Sequence, residues 1–147
     1  MIDVGEEAAI NLLLVEDDPG DVLMTREALS EAKVVHKLHV VDNGEAAIAF
    51  LQQEEPYQYA PRPDLIFLDL NLPRVDGREV LSFVKNDASL RRIPLVVLTT
   101  SSAPDDVTHS YDKHANAYVT KPVDFNSFLA AVRQVDDFFL TVARLPS

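Results

Sequence analysis

The sequence predicts a doubly wound α/β domain, a five-stranded parallel sheet with helices on both faces. Two observations carry this. Short apolar runs bounded by turn residues alternate five times with longer stretches of helical periodicity. The runs Leu12-Leu13-Leu14-Val15, Leu65-Ile66-Phe67-Leu68 and Leu95-Val96-Val97-Leu98 are apolar at every position, as strands must be when helices cover both faces of their sheet. Strand–helix alternation then implies right-handed crossovers within one layer of strands.

The elements follow in order. Asn11 to Val15 is the first strand, and Pro19 suits the first position of a helix carrying Val22, Leu23, Ala28, Leu29 and Ala32. Leu38 to Val41 is the second strand, and Ala46, Ala47, Phe50 and Leu51 mark the next helix. After a connection rich in Pro and Tyr, Leu65 to Leu68 forms the third strand, and Leu81, Val84 and Lys85 mark a third helix. Leu95 to Leu98 is the fourth strand. Ser102, with Asp105 three residues on, opens a short polar fourth helix. Ala117 to Val119 is the fifth strand, and Asp124 caps a last helix with Phe128, Leu129, Val132, Val135 and Phe139 on one face. The folded domain is expected over residues 10–141, with a mobile tail at 1–9 and a short one at 142–147.

Composition narrows the function. At 147 residues the chain fits one domain of ordinary size, and a net charge of −11 opposes binding to nucleic acid or an anionic membrane surface. Arg91-Arg92 is too small to be a basic patch. No apolar run approaches the roughly 18 residues of a membrane span, and the acidic start lacks a signal peptide's basic region. With no cysteine, a disulfide, a thiolate metal site and a thiol nucleophile are excluded. The cytoplasm is the expected compartment.

Polar residues gather where the strands end. Strand 1 runs into Glu16-Asp17-Asp18, strand 3 into Asp69, strand 4 into Thr99-Thr100 and strand 5 into Thr120-Lys121-Pro122. In a doubly wound sheet the binding site lies at these carboxyl ends, so the groups should meet on one rim. Clustered carboxylates need protons or a cation to offset their repulsion. Oxygen donors without His or Cys favour Mg²⁺ or Mn²⁺ over zinc. Lys121 adds a positive charge and Thr99 a hydroxyl, a set suited to a phosphoryl group beside a metal ion. Acidic residues also cap strand ends merely because loops are wet, but four strand ends together argue against that reading.

Four segments together resemble the CheY-like response regulator receivers. They are Val15-Glu16-Asp17-Asp18-Pro19, Leu68-Asp69-Leu70-Asn71-Leu72-Pro73 with Asp76-Gly77, Leu98-Thr99-Thr100-Ser101, and Tyr118-Val119-Thr120-Lys121-Pro122. The similarity spans residues 10–140. It implies a flavodoxin-like sheet of order 2-1-3-4-5 and a protein that works in a two-component phosphorelay. Asp69 would accept a phosphoryl group from a sensor histidine kinase. Asp17 would hold the metal directly and Glu16 mainly through water, with Asp69 itself and the Asn71 main-chain carbonyl as further ligands. Thr99 would be the switch hydroxyl, Lys121 would bind the phosphoryl oxygens, and Tyr118 would be the switch aromatic. The Lys121–Pro122 bond would be cis. Asp18 falls outside the acidic pair and is expected to cap the first helix. Beyond its own phosphotransfer and autodephosphorylation, such a protein is not an enzyme.

The connection from Gln52 to Pro63, the Asp-Pro-Gly-Asp start of the first helix and the Leu-Thr-Thr-Ser run narrow the similarity to the regulators paired with bacterial phytochrome kinases. A bacteriophytochrome is therefore the expected kinase. Helix 4, strand 5 and the last helix form the output face in receivers, and Phe138-Phe139 extends apolar surface there for a homodimer. Whether the protein drives a downstream effector or acts as a phosphate shuttle or sink stays open. The Gln52–Pro63 stretch reads as a surface excursion rather than a partner contact, and His36, His39, His109 and His114 as solvated or edge residues. A dehalogenase-type phosphatase needs a second acid where Asn71 stands. A nucleotide- or flavin-binding module needs a glycine-rich loop after a strand, which four glycines at 20, 44, 77 and 5 do not provide.

Overall fold

The computed structural model describes residues 9–32, 36–99, 117–120 and 126. Five parallel strands, β1 (Ile10–Val15), β2 (His36–Val41), β3 (Leu65–Asp69), β4 (Leu95–Thr99) and β5 (Ala117–Thr120), form one sheet in the order β2-β1-β3-β4-β5. Helices α1 (Pro19–Ala32), α2 (Gly44–Gln52) and α3 (Gly77–Asn86) and a 3-10 turn at Leu90–Arg92 connect them. The sheet order is the one the sequence led us to expect. The fourth and last helices, the Lys121–Pro122 bond, both expected tails beyond Ala9, and Phe138-Phe139 lie outside the described residues.

Side chains of the central strands alternate between two cores, because successive Cβ atoms point to opposite faces. Leu13, Val15, Ile66, Leu68, Leu95 and Val97 pack with α2 and α3. Leu12, Leu14, Leu65, Phe67, Val96 and Leu98 pack with Ala28 and Leu29 of α1 on the other face. The continuous apolar runs are thus explained by burial on both sides. β2, at the sheet's edge, is half-buried along most of its length, and it carries His36 and His39.

Each described helix starts at a capping side chain. Asp18 Oδ1 accepts from Gly20 N at 2.8 Å, Asn43 Oδ1 from Ala46 N at 2.8 Å, and Asp76 Oδ1 from Arg78 N at 2.7 Å. Asp18 therefore does cap the first helix. In α1 the buried stripe runs through Thr25, Ala28 and Leu29, so Leu23, expected among the apolar positions, turns out 55% exposed. Thr25 is buried because its hydroxyl donates to the Asp21 carbonyl at 2.9 Å within the same helix. β2 begins at His36 rather than Leu38, since pairing with Ile10 of β1, not hydrophobicity, sets its start.

The Gln52–Pro63 excursion is anchored at its middle and its end. Tyr57 packs on Phe50, ring centroids 5.5 Å apart, and Phe50 in turn meets His39 at the same separation. Arg62 donates to the hydroxyl and the carbonyl of Ser89, both at 2.8 Å. Tyr59 is exposed. No helix among the described residues is long and apolar enough to cross a membrane.

Candidate functional site

Strand register brings the carboxylates together. Val15 pairs with Leu68, so Glu16, the next residue of the first chain segment, lies level with Asp69 at the end of β3. Alternation gives Glu16 and Asp69 the parity of Leu14 and Phe67, on the α1 side of the sheet. Asp17 follows where the chain turns toward α1. Glu16, Asp17 and Asp69 each offer a carboxylate oxygen, and these oxygens all lie within 4.8 Å of one another. Glu16 and Asp69 are only 1% and 2% accessible, whereas Asp17 is exposed.

Buried anions so close together are costly unless a positive charge offsets them. The donors are oxygen alone, two shielded from water and one open to it, an arrangement that fits a divalent cation entering from the exposed side. Main-chain donors fix the buried pair: Asp18 N–H donates to Glu16 Oε2 at 3.2 Å and Asn71 N–H to Asp69 Oδ1 at 3.0 Å.

The turn after β3 is held against the sheet. Leu70 N–H donates to the Leu98 carbonyl of β4 at 3.1 Å, and Gly77 N–H returns to the Leu70 carbonyl at 3.2 Å. A Cβ on Gly77 would collide with the Asp69 carbonyl oxygen and the Leu70 main chain, so only glycine lets α3 start this close to the strand end. Asn71 itself is exposed at the start of the turn.

Thr99 closes β4, one residue beyond Leu98, the partner of Asp69, and pairs with Thr120 of β5. Tyr118 lies on β5 opposite Val97. Both positions therefore belong to the strands on the far side of Asp69 from Glu16. Lys121 lies outside the described residues. Sequence reasoning did not single out Gly44, Val75 or the Arg74–Glu45 pair; Asp42-Asn43-Gly44 signals only a turn and a cap, and nothing local reveals what packs on it.

A family model for the response regulator receiver domain matches residues 12–133. The chain is 46% identical over 136 residues to the response regulator Rcp1 of Synechocystis sp., covering 92% of each chain. Among solved structures, it resembles the phosphorylated cyanobacterial phytochrome response regulator RcpA with a TM-score of 0.79 at 47% identity, covering 95% of this chain and 99% of that one. It resembles the Mn²⁺-bound form of Rcp1 with a TM-score of 0.78 at 45% identity, covering 94% and 99%. The chain therefore belongs to the response regulator receiver family, CheY-like proteins phosphorylated on an aspartate in two-component signalling.

Proposed function

We propose that Asp69 is the phosphoacceptor and that Mg²⁺ is the working cation. The observation that carries this reading is the meeting of Asp69 with Glu16 and Asp17 at the carboxyl ends of β1 and β3. A carboxylate oxygen of Asp69 attacks the phosphorus of a kinase phosphohistidine. The P–N bond breaks as the new P–O bond forms, and the imidazole nitrogen leaves with the electron pair and takes up a proton. Such transfers depend on in-line positioning and charge neutralisation rather than on covalent help from the protein. Mg²⁺, when bound, supplies that neutralisation. Asp17 would hold it directly, Glu16 through water, and Asp69 and the Asn71 main-chain carbonyl would complete the set.

The product carries about −1.5 to −2 charges where Asp69 carried one, taking the value for hydroxyl phosphates. Lys121 pairs with the new oxygens, the Thr99 hydroxyl moves to them, and Tyr118 turns inward in the space Thr99 leaves. These movements bias the face made by helix 4, β5 and the last helix, through which a second copy or an effector binds. Water later removes the phosphoryl group. The domain spans residues 10–141 and works in the cytoplasm.

The kinase is a sensor histidine kinase of the bacteriophytochrome kind, a reading supported by the similarity to RcpA, which is a phytochrome response regulator. The test is phosphotransfer from purified, radiolabelled phytochrome kinase to the wild-type chain and to Asp69→Asn. Rapid loss of label from the kinase with the wild type alone is expected. Equal transfer to both would refute the acceptor, and no transfer to either would refute this kinase class.

A further inference from the structure

We propose that Gly44, on a helix that supplies no candidate ligand, is a positioning residue for the metal site. The inference rests on the metal reading above. Gly44 opens α2 directly after Asn43, whose extended backbone (φ −158°, ψ 163°) and capping side chain start the helix. None of the described glycines has a positive φ, so the backbone at 44 would accept any residue. Glycine is needed there for space. A Cβ on Gly44 would fall on the carbonyl oxygen of Val75 and within 2.9 Å of its carbonyl carbon and its Cβ. Two of those three atoms are main chain, which has no side-chain rotamer to move aside.

Val75 belongs to the turn from Leu70 to Asp76, which follows directly on Asp69 and carries Asn71. A second link joins this turn to α2: Arg74, in the left-handed conformation at φ 64°, pairs with Glu45 at 3.6 Å. Both side chains are largely exposed, so the ion pair adds little and the seat of half-buried Val75 on buried Gly44 is the main hold. The other end of the turn is fixed by Gly77, packed on the Asp69 carbonyl and the Leu70 main chain. With that end held by close packing, a methyl group at position 44 pushes on the chain between Asn71 and Val75. Mg²⁺ tolerates little departure from octahedral geometry, and Asn71 is where that push reaches the site.

The test uses the unphosphorylated full chain and measures Mn²⁺ binding from the electron paramagnetic resonance of the free ion. Gly44→Ala is expected to weaken binding about 10-fold or more, the scale on which supporting contacts tune metal sites, with an unchanged far-ultraviolet circular dichroism spectrum. Ala47→Gly, a buried position three residues further along the same helix, should lower the melting temperature yet bind as the wild type does. Wild-type affinity in Gly44→Ala would overturn the inference, as would equal weakening in Ala47→Gly. Coupling is reciprocal, so Mg²⁺ should also slow amide exchange at Ala46 and Ala47 of the wild type, and unchanged exchange would overturn the proposal even if Gly44→Ala fails to fold. A wild type that binds no Mn²⁺ would instead refute the metal reading itself.

Discussion

The main-chain N–H of Asn71 donates to Oδ1 of Asp69 at 3.0 Å, so the turn leaving β3 folds back on the carboxylate that the strand has just delivered. Leu70, between them, is tied to β4 through the Leu98 carbonyl at 3.1 Å. The orientation of Asp69 is thus set by backbone geometry before any phosphodonor arrives, which is how a rigid scaffold lowers the cost of reaching a reactive arrangement.

Removing the exposed member of the acidic cluster should separate metal binding from folding. Asp17→Ala is expected to weaken Mn²⁺ binding by about 10-fold or more. Without metal the same variant should be more stable, by up to about 1 kcal/mol, because one like charge is gone from beside Glu16 and Asp69. Metal titration and urea unfolding in the presence of chelator measure the two effects. Unchanged affinity would show that Asp17 is no ligand.

Phe67 is the largest fully buried side chain among the described residues and fills the core on the α1 face. Phe67→Ala should cost about 3–5 kcal/mol through lost burial and the cavity left behind. The urea midpoint reports this. A loss under about 1 kcal/mol would mean that α1 closes over the gap, as well-packed interiors rarely do.

Much of this fold was legible because the central strands are covered on both faces, so apolarity at every position from Leu12 to Val15 and from Leu65 to Leu68 had one explanation. The meeting of Glu16, Asp17 and Asp69 was legible for a related reason: in a parallel sheet the strands end on the same rim, which brings the ends of β1 and β3 side by side. What escaped was set by contacts distant in sequence. β2 starts at His36 because Ile10 pairs with it. Leu23 is exposed because the stripe of α1 that faces the sheet runs through Thr25 and Ala28. Gly44 reads as an ordinary turn residue until Val75, far along the chain, is seen to fill its missing side chain.

His39 sits beside Phe50, with a ring nitrogen 3.2 Å from Asn11 Oδ1, and burial, then the charge of Lys37, holds its pKa below the ordinary imidazole value. A lowered folded-state pKa means that the folded protein binds the proton less well than the unfolded chain. The resulting stability is present above the unfolded pKa, about 6.5, and is lost as pH falls from there through the folded pKa. His39→Gln should therefore lose less stability than the wild type between about pH 8 and about pH 5.5. Chemical unfolding at the two pH values decides, and parallel losses in both proteins would contradict the expectation. Asp87 acts at lower pH: N–H donors from Leu90 and Ser89 hold its carboxyl below its usual value, so its contribution disappears only in acid.

The identity of the phosphorylated residue decides most directly what this site does. Incubation with acetyl phosphate and Mg²⁺, borohydride trapping of the acyl phosphate and peptide mass spectrometry locate it. The reduced product should appear at Asp69 alone, vanish in Asp69→Asn and fail to form when chelator removes the metal. Trapping at Asp17 or another carboxylate, or full labelling of Asp69→Asn, would contradict the account.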